Sequence, residues 1–368
     1  NWAEGLTTYG ADYRLRARRS AKAARALRLR WLQDFASYHR KEPAPALREF
    51  QAPVDEASRT LGYNKAAFLW IMLRDRLGAQ TFRTGLRRFY RLHLYREASW
   101  DDLRHAFEQV SDRDLGPFFR QWLDRPGAPQ LRIAALRQAG GSLRLTLAQS
   151  DPPYRLRLPV RIRFPDGGTR RETVVLTGHR QRFRWPVAGR RVASVTVDPG
   201  YRVFRRLAPE EVPPRISAIL ARPGGTIGLS PSRNGASWQA AARRLGHALW
   251  GGGARVGRAS PGSPAVRVVS PEQLADTWRS VDGIRSLPRL PEGATARVLL
   301  GRRGPGKPVT LLVAADSPDS LAALAGPLPH YGSYGWLAFR GRKNLAKGRW
   351  PVPGNPLHGV PSRPGKGG

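Results

Sequence analysis

Residue types that often carry enzyme chemistry are present in this 368-residue chain, but their spacing completes no catalytic set. None of the seven histidines lies four residues from another, so no helix can present two imidazoles to one metal ion. Cysteine is absent, which excludes disulfides and thiolate metal sites. The chain also lacks the Gly-x-Ser-x-Gly turn of serine hydrolases and a complete phosphate-binding loop ending in Gly-Lys-Ser/Thr.

Two short stretches, taken together, match a known pattern. The first reads Asn1-Trp2-Ala3-Glu4-Gly5-Leu6-Thr7-Thr8-Tyr9, and the second reads Gly62-Tyr63-Asn64-Lys65-Ala66-Ala67. They resemble the Trp-x-x-Glu-Gly and Tyr-x-Lys-Gly elements of the membrane alanyl aminopeptidase (aminopeptidase N-like) family of gluzincin zinc metallopeptidases. The last glycine of the second element is Ala66 here. Further matches follow in the family's order at residues 82–90, 100–103, 114–123 and 126–129, and the resemblance covers residues 1–205.

The resemblance implies a role for one residue of each stretch. Glu4 occupies the position of the third zinc ligand, and Tyr63 matches the catalytic tyrosine. Two imidazoles and a carboxylate suit a catalytic zinc that keeps one position open for water. The metal lowers the pKa of that water and polarises the scissile carbonyl, while a phenol can stabilise the oxygen as it gains charge. We therefore expect Glu4 as a metal ligand, Tyr63 as a catalytic residue and Zn²⁺ as the cofactor.

The same resemblance indicates what this sequence does not contain. The family's H-E-x-x-H segment supplies two histidine ligands and a general base, and a Gly-x-Met-Glu-Asn loop recognises the free α-amine of the substrate. Both are expected before Asn1, so we expect a C-terminal fragment that binds no stoichiometric zinc and is inactive alone. The expected substrate is a peptide, cleaved at its N-terminal residue. Relatives with this architecture in bacteria are often exported or membrane-associated, which favours a periplasmic or membrane-associated location for the full-length protein.

The charge of the chain suggests a different class of function. Lysine and arginine total 63 against 27 acidic residues, a formal net charge of +36. A non-catalytic basic module that contacts nucleic acid or an anionic membrane is the alternative hypothesis. However, the basic excess is spread over every segment of the chain, whereas a binding footprint should be localised. We therefore expect no specific nucleic-acid partner.

The first part of the chain is predicted to be helical. A long helix is expected from Arg14 to Phe35, and a more apolar one from Asn64 to Leu77. Ser99 and Asp102 are predicted to form a capping box at the start of one helix, and Ser111 and Asp114 are predicted to form another at the start of the next.

Alternating apolar residues then predict strands. Leu156, Leu158, Val160 and Ile162 alternate with polar or charged positions, as in an antiparallel sheet with one face in water. Beyond about residue 207, mixed helical and strand patterns indicate an appended α/β domain. The sequence contains no run of about 18 apolar residues, which is the length that a membrane-spanning helix needs.

These patterns predict a multi-domain fold class. We expect the α-helical half of a thermolysin-like catalytic domain, then an antiparallel β-sandwich of the immunoglobulin or fibronectin kind, then a small α/β domain. The expected boundaries are residues 1–127, 128–206 and 207–350, with a disordered tail over 351–368 that is rich in proline and glycine.

Overall fold

The chain forms two compact units. A computed structural model describes residues 2–39, 44–258, 265–282 and 285–362. The first unit consists of the described parts of Asn1–Ala208 and Asn355–Gly368, and the second unit is Pro209–Gly354. This division differs from the expected boundaries, because the helices and the strands that follow them share one unit.

Helices build the first part of unit 1, as expected. They are α1 (Trp2–Thr7), α2 (Leu15–Arg19), α3 (Ala21–Tyr38), α4 (Glu56–Arg59), α5 (Ala66–Leu77), α6 (Ala79–His93), α7 (Trp100–Ser111) and α8 (Gly116–Leu123). Two π-helical turns, Thr8–Arg14 and Thr60–Lys65, lead into α2 and α5. The side chains of Phe68, Leu69, Trp70 and Ile71 on α5 are all buried, so this helix forms the centre of the helical core.

Helix ends agree with the sequence in one place and differ in two. Ser99 and Asp102 form the predicted capping box at the start of α7. Ser111 ends α7 and does not cap α8, where Asp114 Oδ1 instead accepts from the Gly116 amide at 2.8 Å. The single helix expected from Arg14 to Phe35 is interrupted at Ser20, which has an extended backbone. Its hydroxyl accepts from the Ala23 amide at 2.9 Å, which starts α3 afresh.

Two antiparallel sheets follow within unit 1. Their strands are β1 (Leu131–Ala139), β2 (Ser142–Gln149), β3 (Leu156–Arg163), β4 (Thr169–Leu176), β5 (Arg180–Pro186), β6 (Ser194–Val197) and β14 (His358–Gly359). One sheet has the order β1-β2-β5 and the other β14-β6-β3-β4. The predicted alternation in β3 is confirmed: Leu156, Leu158, Val160 and Ile162 are buried, and the residues between them are partly or fully exposed.

The segment expected to be a disordered tail is ordered where the structure describes it. His358 and Gly359 pair with Thr196 and Val195 of β6, and the Ser362 amide donates to the carbonyl of Leu136 at 3.0 Å. Leu357 is fully buried. The expectation of disorder over 351–368 is therefore wrong for residues 355–362, and residues 363–368 lie outside the described part. Its prolines and glycines permit an irregular backbone path, but the burial of Leu357 and a few backbone hydrogen bonds hold residues 355–362 in place.

Unit 2 is built on one mixed sheet with helices. Its strands have the order β13-β12-β10-β11-β9-β7-β8, in which β11, β9, β7 and β8 run parallel. The strands are β7 (Gly225–Leu229), β8 (Ala254–Arg258), β9 (Val266–Val269), β10 (Ala296–Gly301), β11 (Thr310–Ala315), β12 (Trp336–Arg340) and β13 (Lys343–Gly348). The helices are α9 (Ser217–Leu220), α10 (Ala236–Trp250), α11 (Leu274–Val281) and α12 (Pro318–Ala323).

The residues of unit 2 bury two apolar clusters of their own. The larger includes Ile227, Leu245 and Val313, and the smaller includes Trp278 and Trp350. Among the helices of the described residues, none is both long and apolar enough to cross a membrane.

Candidate functional site

Helix α1 carries Glu4 and is held in place by its first residue. The Trp2 indole N–H donates to the carbonyl of Ala98 at 2.6 Å, and the Trp2 ring packs edge-on against Phe89 at 5.1 Å. Glu4 itself is half-buried, with its Oε2 atom out of contact with solvent. A carboxylate held in this way on a fixed helix is suited to metal ligation.

Gly5 brings the two sequence motifs together. A Cβ atom built on Gly5 would lie 2.5 Å from the Cβ of Ala66 and 3.0 Å from its backbone carbonyl carbon. Only glycine permits α1 to approach the start of α5 so closely. Ala66 occupies the position at which the family pattern has glycine, and its methyl group packs directly against Gly5. The contact places the helix of Glu4 beside the turn that carries Tyr63.

Tyr63 lies on the π-helical turn just before α5, between two side chains. Phe50 packs edge-on against its ring at 6.3 Å, and the guanidinium of Arg59 lies 5.2 Å from the ring centroid. Phe50 also fills the space beside Gly62, where an added Cβ would come within 2.2 Å of the Phe50 ring. The ring is half-buried, and no hydrogen bond engages its hydroxyl within the described residues. The phenol is therefore available as a donor.

Lys65, two residues further on, anchors the same turn. Its ammonium donates to the carbonyls of Arg125 at 3.2 Å and Gly127 at 3.3 Å, where the last helix ends and the strands begin. The side chain is 2% exposed, and burial, with a contribution from the charge of Arg125, lowers the pKa of Lys65 to about 8. In the sequence this lysine is visible only as one residue of the second motif. Its fixing role depends on a contact 60 residues away, which local sequence does not reveal.

Tyr9, in the first motif, belongs to the core. It is 1% exposed, stacks on Tyr13 at 5.7 Å and lies edge-on to Phe82 at 5.6 Å. Burial raises the pKa of the Tyr9 phenol, with the nearby charge of Arg74 acting in the opposite direction. Its hydroxyl is buried and has no hydrogen-bond partner within the described residues. Tyr63, by contrast, keeps part of its ring in solvent.

No group of three His, Cys, Asp or Glu side chains among the described residues could hold a metal ion. Glu4 is a single carboxylate at the position where the family pattern has a metal ligand. The chemistry of Glu4 therefore fits a zinc site, whereas the described residues alone do not form one.

One glycine-rich stretch has the spacing of a phosphate-binding loop. Gly301, Gly306 and Lys307 match Gly-x-x-x-x-Gly-Lys, but Pro308 replaces the serine or threonine that binds magnesium. This stretch joins the antiparallel strands β10 and β11 with no helix between them. It therefore offers no helix N-terminus to a phosphate, which that motif requires.

Part of this chain is similar in sequence to known peptidases. Residues 16–122 match the Peptidase family M1 domain. Aminopeptidase N of Lactobacillus delbrueckii subsp. lactis is 32% identical over 130 residues, which cover 35% of this chain and 14% of that protein. Aminopeptidase N of Lactobacillus helveticus is 32% identical over 108 residues, covering 28% and 13%. Tricorn protease-interacting factor F2 of Thermoplasma volcanium is 30% identical over 89 residues, covering 24% and 11%. The resemblance to the aminopeptidase N-like family is thus confirmed over the helical region.

These matches have a limited extent. This chain spans about one seventh of the length of the first of these relatives. Tyr63 lies inside the range that matches the family domain, whereas Glu4 precedes it. Among solved structures, Legionella pneumophila aminopeptidase A in complex with aspartic acid is 14% identical, with a TM-score of 0.37, over 47% of this chain and 21% of that one.

Proposed function

We propose that this chain is part of a zinc-dependent metallopeptidase that removes N-terminal residues from peptides. The match of residues 16–122 to the Peptidase family M1 domain carries this proposal. The packing of Gly5 on Ala66 supports it, because it places the two motif elements side by side. Since the chain spans only a small share of its relatives, the proposed activity is that of the protein that contains it.

In this proposal, Glu4 is one ligand of the zinc ion. Bound zinc would supply an activated water and polarise the carbonyl of the scissile bond. The other ligands and the general base are those of an H-E-x-x-H segment, which these 368 residues do not contain. The Trp2 indole and the Gly5 contact fix the helix of Glu4, so that its carboxylate needs little reordering to bind a cation.

Tyr63 is the proposed oxyanion donor. Its ring contacts Phe50 and the guanidinium of Arg59, while Lys65 fixes the same turn through its hydrogen bonds to backbone carbonyls. A donor held before the reaction begins stabilises developing charge without a reorganisation cost. Removing one such donor typically lowers kcat by roughly 10²–10³-fold.

The test uses the full-length protein that contains this chain. Glu4→Gln is expected to lower its zinc content, measured by mass spectrometry of the metal, and to abolish hydrolysis of an alanine anilide. Tyr63→Phe is expected to leave zinc bound and to lower kcat by roughly 10²-fold or more with little change in KM. The exposed residues Glu97 and Tyr90 supply matched controls, Glu97→Gln and Tyr90→Phe. Full zinc and activity in the Glu4→Gln protein would rule out the proposed ligand.

A further inference from the structure

A cavity in unit 1 lies where helices α5 and α8 meet strands β3 and β4. Its floor is apolar and includes Met72 of α5, Trp122 of α8 and Leu156 of β3, all of which are buried. The space inside the cavity is about 110 Å³. An apolar protein cavity of ~150 Å³ can hold a molecule of the size of benzene. The cavity therefore has room for a short hydrocarbon group of a ligand whose remainder stays at the open mouth.

The rim of this cavity is strongly basic. Arg76, Arg155, Arg157 and Arg202 line it, and Asp75 is the one acidic residue among them. Asp75 forms a bidentate ion pair with Arg202, which neutralises both charges. No carboxylate within the described residues forms an ion pair with Arg76, Arg155 or Arg157. Three positive charges thus remain around one opening.

These arginines repel one another. Burial, followed by the charges of Arg155, Arg113 and Arg157, lowers the pKa of Arg76, and the charge of Asp114 acts in the opposite direction. This environment opposes the charged form of the Arg76 guanidinium. An anion at the rim would relieve this repulsion and could accept several charge-assisted hydrogen bonds.

The rim is also held in a defined place. The backbone of Arg155 is fixed to α8 on both sides of the residue: its amide donates to Gln121 Oε1 at 2.7 Å, and its carbonyl accepts from Gln121 Nε2 at 3.3 Å. Arg157 extends from the regular strand β3 two residues later. A rim built on paired backbone is better organised for binding than arginines on a mobile loop.

We propose that this cavity binds a small organic anion that carries an apolar group. The apolar floor would take the hydrocarbon part of the ligand, and the guanidinium groups of Arg76, Arg155 and Arg157 would bind its phosphate, carboxylate or sulfonate. Neither part alone accounts for the cavity: an inorganic anion would leave the apolar floor in water, and a neutral apolar molecule would leave the rim charges unrelieved. The concave apolar floor distinguishes this place from the surroundings of Arg161 and Arg163, which lie further along the same face of β3 and do not line the cavity.

Isothermal titration calorimetry at physiological salt tests the proposal with hexyl phosphate as the probe. One-to-one binding is expected, with inorganic phosphate and hexanol each binding much more weakly. The double variant Arg155→Gln, Arg157→Gln is expected to bind hexyl phosphate roughly tenfold or more weakly, because it loses two guanidinium groups that donate charge-assisted hydrogen bonds to the phosphate. Arg163→Gln is the matched control, since Arg163 is an exposed arginine on the same strand that does not line the cavity.

A second variant tests whether binding needs the cavity itself as well as the positive charge at its rim. Thr173 lies at the exposed edge of the cavity on β4, so Thr173→Trp should fill the opening without changing any charge and should abolish binding. Circular dichroism establishes that each variant is folded. The proposal is overturned if hexyl phosphate does not bind, if inorganic phosphate binds as tightly, or if the folded Thr173→Trp protein or the double arginine variant binds like the unmodified protein.

Discussion

At the scale of single residues, Lys65 shows how the candidate site is supported from outside. The residue is 2% exposed, and within the described residues its ammonium donates to two backbone carbonyls and forms no ion pair with a carboxylate. Retaining the charge in this environment costs free energy. The same contacts join the Tyr63 turn to the segment of Arg125 and Gly127, which follows the last helix of the helical region. A lysine of this kind positions the turn of Tyr63 through its backbone contacts.

The buried lysine predicts a pH dependence of stability. The pKa of Lys65 is about 8 in the folded protein and 10.5 for an ordinary lysine. Between these values the unfolded chain binds a proton that the folded chain does not, so the free energy of unfolding rises with pH. From pH 8 to pH 10.5 we therefore expect the unmodified protein to gain roughly 3 kcal/mol of unfolding free energy relative to Lys65→Met, which lacks the titrating group. Urea denaturation at several pH values measures it.

The exposed Lys22 provides the control for that series. Its replacement by methionine should leave the pH dependence of stability unchanged. A flat difference between the unmodified and Lys65→Met proteins over this range would mean that Lys65 is solvated in solution and does not anchor the turn.

At the scale of elements, the packing of α1 on α5 decides whether Glu4 and Tyr63 can share a site. The approach depends on a small residue on each side: Gly5, which lacks a Cβ, and Ala66, whose methyl group fills the remaining space. The departure of Ala66 from the family's glycine is thus accommodated by the absence of a side chain at Gly5. Overpacking at such a contact forces helices apart, and a shift of about 1 Å at a catalytic group is sufficient to lower activity strongly.

A double-mutant cycle tests this contact. Gly5→Ala is expected to destabilise unit 1 by roughly 1–3 kcal/mol through overpacking. Ala66→Gly alone should cost about 1 kcal/mol through helix propensity. Because the second change removes the clash, the double variant should be at least about 1 kcal/mol more stable than the sum of the single effects. Urea denaturation gives all four free energies.

Gly10 offers a matched control for the cycle. It lies in the π-helical turn that follows α1, and no atom lies within 4 Å of a Cβ built there. Gly10→Ala combined with Ala66→Gly should show no coupling. Equal coupling in both cycles would mean that the effect arises from glycine content and not from the contact between α1 and α5.

At the scale of the whole molecule, the path of the chain is the main feature that sequence did not reveal. The chain builds unit 1, then unit 2, and returns to unit 1 from residue 355 onward. The returning segment adds a two-residue strand to β6 and buries Leu357 completely. The carbonyl of Leu357 also accepts from the Val197 amide at 2.8 Å. Residues after unit 2 therefore contribute to the stability of unit 1.

This path predicts where a mutation in the returning segment acts. Leu357→Ala should destabilise unit 1 by roughly 2–5 kcal/mol, as large-to-small changes at buried leucines do. In hydrogen exchange followed by mass spectrometry, peptides from β3 and β6 should exchange faster, while peptides from β9 and β11 in unit 2 should not change. Val360→Ala, at a side chain that is 69% exposed, should leave both units unaffected. Faster exchange in unit 2 alone would contradict this assignment.

Local patterns in the sequence identified most of the elements. The period of buried residues was sufficient for β3, where every second side chain is buried. Helix α5 was recognisable from its apolar run, in which neighbouring residues such as Phe68 and Leu69 are both buried. The capping box at Ser99 was likewise readable, since both of its partners lie within four residues. The break at Ser20 was missed because serine is tolerated within helices, and only the extended backbone found there makes it a cap.

The candidate site divides in the same way between sequence and structure. Sequence alone determined the residue types and spacing that make Glu4 and Tyr63 candidates, because a family's chemistry requires particular side chains in a particular order. Only the tertiary structure decided that Gly5 rests on Ala66, that Phe50 and Arg59 enclose Tyr63, and that Lys65 reaches the carbonyls of Arg125 and Gly127. The physical reason is distance along the chain: side-chain chemistry and periodicity are local properties, whereas a buried contact depends on which remote segment fills the neighbouring space.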